Sequence, residues 1–143
     1  MNDRYLFRAK RLDDEIDEMS WAYGYLVFDE IIVDRDSDFG KSLGLIVSIA
    51  FEIDIDTVGQ CTGLKDKNGK LIFEGDILQI DEKDKYSKDG KTPNLVVRYS
   101  EKDAGFYAYY EHGSSRSICY SDCYAEIVGN IYDNPQLMEV QNG

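Results

Sequence analysis

Apolar and polar residues alternate with a period of two along much of this 143-residue chain, and that period predicts strands. The clearest case is residues 45–55. There Leu45, Val47, Ile49, Phe51, Ile53 and Ile55 alternate with Ile46, Ser48, Ala50, Glu52 and Asp54, the pattern of one long strand with a core face and a mostly wet face. Residues 5–12 and 21–28 are aromatic-rich runs. Tyr5 and Phe7 share one face of the first, Leu6, Arg8 and Lys10 the other, and Trp21, Tyr23, Tyr25 and Val27 share a face of the second. The connector at 13–20 is acidic, and as a helix it would offer a core only Ile16 and Met19. The two runs therefore read as a β-hairpin. Residues 31–33 predict a short strand and 34–40 a loop.

The most orderly stretch is 58–80, read as a turn followed by a strand. Gly59 and Gly63 offer positive-φ positions, and residues 66–69 make an Asp-Lys-Asn-Gly turn. Residues 71–73 are apolar, Glu74-Gly75-Asp76 break the run, and 77–80 restart it. Beyond it, residues 81–93 predict a charged loop. Strands follow at 95–99 and 106–110, joined by a turn at 100–105, and residues 112–117 read as a polar loop. A last strand at 124–131 is interrupted by Gly129 and closed by Asn134-Pro135, before one helical turn at 136–140.

Four of these stretches carry a resemblance: Arg4 through Lys10, Trp21 through Tyr25, residues 58–80, and Ile127-Val128-Gly129-Asn130-Ile131-Tyr132-Asp133-Asn134-Pro135. Together the chain resembles the YopX family of phage and prophage proteins. Gly63, Leu64, Asp66, Gly69, Glu74, Gly75 and Asp76 belong to the most specific motif, and Gly129, Asn130 and Pro135 to the second. Departures are Asp54 and Asp56, where such proteins often carry proline, Cys61 in place of an aromatic residue, and the charged 81–93 loop. The resemblance implies a mainly-β phage or prophage protein that acts in the bacterial cytoplasm and self-associates. It implies no particular activity.

Composition narrows the function classes. With 43% hydrophobic and 13% aromatic residues the chain has enough material for a core. Sixteen Lys and Arg against 28 Asp and Glu give a net charge of -12, which repels a phosphate backbone unless a basic patch intervenes. The densest basic stretch, 65–70, alternates lysines with Asp66 and Asn68 and reads as a solvated turn. Met1 is followed at once by Asn2-Asp3-Arg4, and no apolar run has the length of a spanning helix, so a cytoplasmic protein with no membrane contact is expected. Three cysteines, an odd number, favour reduced thiols over a disulfide framework.

Candidate chemistry is thin. Cys61, Cys119, Cys123 and His112 are the right types for a Cys3His zinc site. On a strand, however, Cys119 and Cys123 would stand roughly 13 Å apart at ~3.3 Å per residue, whereas zinc–sulfur bonds of about 2.3 Å must converge. Asp34, Asp36 and Asp38 open like an EF-hand loop, but Phe39 stands where its glycine is needed and Leu45 where its bidentate glutamate is needed. Glu111 and His112 are strand neighbours that point apart. Glu74 and Asp76, flanking Gly75, would share one side of a strand and suit a metal-assisted hydrolase; the competing reading is local turn chemistry around Gly75.

The remaining candidate is aromatic. Tyr99, Phe106, Tyr107, Tyr109, Tyr110, Tyr120 and Tyr124 crowd the C-terminal half, and strand alternation cannot bury both Tyr109 and Tyr110. Tyr107, Tyr109 and Tyr110 are the candidate interaction surface, against the alternative that the rings only pack across strands or between subunits. The expected fold is mainly β with little helix: a small SH3-like barrel at 61–143, with an N-terminal β-hairpin and long strand at 1–60 as an added layer, the two parts possible as one compact unit. The expected function is a non-enzymatic, cofactor-free, self-associating interaction module with a host or phage protein as partner. The alternatives are an acidic DNA mimic that blocks a host nucleic-acid-binding protein, and a small barrel that itself binds nucleic acid.

Overall fold

The computed structural model describes residues 3–12, 21–80, 93–118 and 125–139. The protein is mainly β, with two antiparallel sheets and little helix, as the period-two pattern predicts. Contacts divide the chain into two compact units, Met1–Cys61 and Thr62–Gly143. No described helix is long and apolar enough to cross a membrane.

In the first unit β1 (Phe7–Lys10) and β2 (Trp21–Val27) form the expected hairpin, with Phe7 opposite Gly24 and Lys10 opposite Trp21. β3 (Glu30–Val33) and β4 (Ile49–Glu52) extend the sheet on one side, and the first residues of β5 (Gly59–Lys65) pair with β1 on the other. The core gathers on the face of Ala9, Ala22, Ile31 and Val33, joined by Ile53. Small residues serve here because the backbone packs tightly: a Cβ on Gly24 would lie 2.1 Å from the Ile32 carbonyl oxygen. The larger rings of β2 therefore take the opposite face. There the Arg8 guanidinium lies 4.8 Å from the Trp21 ring centroid, a contact worth about 0.5–2 kcal/mol.

Two expectations fail in this unit. Residues 34–40 are not simply a loop. They lead into α1 (Asp38–Ser42), whose N-cap Ser37 accepts the Gly40 N–H at 3.0 Å while Asp34 accepts the Asp36 N–H at 2.9 Å. Five residues are too few to show a helical period in sequence. The long strand over 45–55 shrinks to the four residues of β4. Gly44 turns with φ 69°, Arg35 holds Ser48 Oγ and the Ile46 carbonyl at 3.3 and 3.2 Å, and Asp54 caps a 3-10 turn at Ile55–Thr57. Local polar bonds at both ends thus displace the ladder that alternation alone would support.

In the second unit β5 continues beside β6 (Leu71–Phe73). A five-stranded antiparallel sheet is ordered β10 (Ser115–Ser117), β9 (Gly105–Tyr109), β8 (Asn94–Ser100), β7 (Asp76–Ile80), β11 (Ala125–Asn130). Ile72, Leu78, Ile80, Leu95, Val97, Ala108, Ile118 and Ala125 fill its core. The β8–β9 hairpin and the final strand stand where the pattern puts them. Residues 58–80 open with a strand, not a turn, and the supposed loop at 112–117 contributes β10, paired with β9 from Ser115 to Ser117. Polar Ser and Arg conceal an edge strand whose partner supplies the apolar face. The charged loop lies outside the described residues except for Pro93.

Candidate functional site

The residues of the longer motif meet at the two ends of β6. In the β5–β6 turn Asp66 is 6% exposed. Its Oδ1 accepts the N–H groups of Asn68 and Lys70, both at 2.9 Å, and its Oδ2 accepts that of Ile127 at 3.1 Å. Gly69, with φ 81°, closes the turn by donating to the Asp66 carbonyl at 3.0 Å. Lys67 donates its N–H to the Ala125 carbonyl, so one carboxylate and one turn fasten β5 and β6 to β11. Gly63 also has positive φ, and Thr62 beside it donates to the Ile72 carbonyl at 2.8 Å while accepting the Leu64 N–H at 3.1 Å.

At the other end of β6, Gly75 has φ 92° and links three segments: its N–H donates to Val97 and its carbonyl accepts from Ile131. Asp76 is 2% exposed, and its Oδ2 accepts the Phe73 N–H at 2.7 Å. Glu74 is half-buried in the turn, while Asp76 begins β7. The two acids therefore do not line one side of a strand, and Asp76 has the backbone-bonding geometry of turn chemistry.

The shorter motif builds the exit from β11. Register against β7 shifts between Ile127 and Gly129, where the sequence breaks. A Cβ on Gly129 would lie 2.5 Å from Asn134 Oδ1, the atom that accepts the Asn130 N–H at 3.2 Å. Asn130 Oδ1 in turn accepts the N–H groups of Tyr132 and Asp133 at 3.0 and 2.9 Å. Pro135 then starts the 3-10 turn Pro135–Met138, where its missing donor costs nothing, and the Leu137 carbonyl accepts Asn94 Nδ2 at 2.8 Å.

The three candidate tyrosines separate. Ala108 is core, so alternation puts Tyr107 and Tyr109 on the opposite face of β9, each half-buried, across from Arg98 and Val96. Tyr110 packs against the core, stacks on His112 at 5.3 Å and 8°, and approaches Arg116 Nη1 at 3.5 Å. It does not share the face of Tyr107 and Tyr109. Cys61 is buried and His112 is exposed. Cys119, Cys123, Tyr120 and Tyr124 lie outside the described residues, among which no three His, Cys, Asp or Glu side chains gather to hold a metal.

Sequence reasoning missed the exposure of Phe28 and Val47 in the first unit, while Ile46 stands exposed as its place on the wet face of the alternation predicts. Phe28 is 91% exposed at the tip of the β2–β3 hairpin with φ 56°, and Ile46 and Val47 are 83% and 58% exposed before β4. The alternation over 45–55 had placed Val47 on a core face. A phenylalanine at positive φ has no sequence signal, since that position ordinarily selects Gly or Asn.

The family model described as YopX protein matches residues 6–139. Among solved structures, the chain is similar to the crystal structure of protein EF1440 from Enterococcus faecalis. That likeness has 28% identity and a TM-score of 0.45, covering 93% of this chain and 96% of that one. No curated protein matches.

Proposed function

The chain belongs to the YopX family, and we propose that it is a non-enzymatic phage or prophage protein that assembles with copies of itself in the bacterial cytoplasm and presents an acidic, tyrosine-bearing surface to a host or phage protein. The observation that carries this reading is how the side chains are distributed. Asp66, Asp76 and Asn130 of the two motifs spend their oxygens on backbone N–H groups, while Phe28, Ile46 and Val47 stand in solvent and Tyr107 and Tyr109 remain half-exposed. Polar groups engaged inside and apolar groups left outside are the distribution of a scaffold that binds through its surface. Within the same reading the second unit is a small SH3-like barrel; the antiparallel order β10-β9-β8-β7-β11 beside the β5–β6 hairpin supports it.

Fluorescence anisotropy with labelled single-stranded and duplex DNA tests the choice of partner class. No binding at low salt is the expected result, given a net charge of -12. Saturable binding that falls steeply with salt would replace this reading with the nucleic-acid-binding barrel. A host partner displaced by duplex DNA would replace it with the DNA mimic, and a metal-dependent hydrolysis abolished by Glu74→Gln in a folded protein would replace it with an enzyme.

A further inference from the structure

We infer that β4 and the segment leading into it form the contact between two copies of this chain, paired antiparallel about a two-fold axis at Ser48. The inference rests on the self-association proposed above and adds its place.

β4 ends its sheet. Among the described residues its outer edge is met only at the C-terminal end, where Arg11 bridges Ile53 and the Leu12 N–H donates to the Glu52 carbonyl at 3.0 Å. In an antiparallel ladder alternate residues aim both backbone groups to the same side, so Ala50, in phase with Glu52, directs its N–H and carbonyl outward. Natural edges are blunted with lysine, proline or a bulge; Ile49-Ala50-Phe51-Glu52 has none of these. The other ends of the sheets are less open. β11 is held by the Lys67 N–H on the Ala125 carbonyl, β6 is three residues long with its Phe73 N–H bound by Asp76, and β10 is a three-residue strand carrying Arg116.

Charge selects a second copy as the occupant. Each copy carries -12, and residues 42–51 are one of the two longest runs in the chain without Asp, Glu, Lys or Arg; the other, 19–28, holds β2, which is already paired with β1 and β3, so 42–51 is the uncharged run on a sheet edge where like molecules repel least. The run also matches itself when reversed. With Ser48 on the axis, Val47 faces Ile49 of the second copy, Ile46 faces Ala50 and Leu45 faces Phe51, and the ladder stops short of Glu52, which Leu12 already meets, with no like charges opposed. Pairing in this register keeps even-numbered residues opposite even-numbered ones, as the outward phase of Ala50 requires. It also gives a strand partner to the residues whose alternation predicts a strand but which stand exposed beside β4: Ile46 and Val47.

Sedimentation equilibrium on Ile46→Lys and Ala50→Lys tests the contact, both positions being exposed and so tolerant in the monomer. The expected result is a wild-type dimer whose dissociation constant rises at least 100-fold in each variant, with far-UV circular dichroism unchanged, with melting that no longer depends on protein concentration, and with Tyr107→Ser/Tyr109→Ser still dimeric. Ser48→Cys is expected to give a disulfide-linked dimer beyond the wild-type background on mild oxidation, since Cα atoms of a hydrogen-bonded antiparallel pair stand about 5.5 Å apart. A dimer untouched by either lysine, or no cross-link at Ser48, overturns this placement and leaves self-association standing. A wild-type monomer at every concentration overturns both.

Discussion

Removing the Asp66 carboxylate should loosen the second unit by an amount the geometry allows to be worked out. Asp66→Ala leaves three backbone N–H groups without their acceptor: Asn68, Lys70 and Ile127. Hydrogen bonds to a charged group contribute about 1.5–3 kcal/mol each when no substitute is at hand. Asn68 and Lys70 lie in an exposed turn where water can replace the oxygen, so their loss costs a fraction of that. Ile127 N–H faces a nearly buried carboxylate, and its orphaning brings most of a desolvation penalty of about 1–3 kcal/mol. The total is about 3 kcal/mol. Asp66→Asn keeps one acceptor oxygen for the turn and presents an amide donor to the Ile127 N–H, so it should cost about 1–2 kcal/mol by the same reasoning. Urea unfolding followed by far-UV circular dichroism measures both. The single tryptophan, Trp21, belongs to the other unit and would be a poor reporter. An Asp66→Ala loss below about 0.5 kcal/mol, or Asn as costly as Ala, would refute the assignment of these bonds as the fastening of the turn to β11.

Three further outcomes are expected. Gly129→Ala should destabilise by about 1–3 kcal/mol, because its Cβ displaces Asn134 Oδ1 from the Asn130 N–H; the same change combined with Asn134→Ala should cost less than the two added separately, measured as a double-mutant cycle. Gly75→Ala, at φ 92°, should cost about 1–2 kcal/mol in the same urea assay. Phe28→Gly should raise the melting temperature, because it relieves a bulky, solvent-exposed residue at φ 56° worth about 1 kcal/mol.

Those sites also mark what could be read in the sequence. β6 to β9 and β11 were legible because each has an apolar run and a turn residue near an end, Asn68-Gly69, Gly75, Gly105 or Gly129, and the β1–β2 hairpin was legible from its two aromatic runs, whereas β5 and β10 were not. The acids and Asn of the motifs were legible as motif but not as hydrogen-bond acceptors, since the partner of Asp66 Oδ2 is Ile127, far along the chain. Residues 45–48 misled because alternation reports which side chains face a core, not whether a backbone finds a ladder; Arg35 takes up polar groups of Ser48 and Ile46, and no residue within the run signals that. Tyr110 was grouped with its neighbours by composition, whereas parity through Ala108 separates it from Tyr107 and Tyr109.

The central claim is that this is an assembling interaction module, and the most direct test is the molar mass of the wild-type protein by size-exclusion chromatography with light scattering over a wide concentration range. The account predicts a defined species of at least twice the 16.4 kDa of one chain, unchanged by added single-stranded DNA. A mass of 16.4 kDa at every concentration would contradict it.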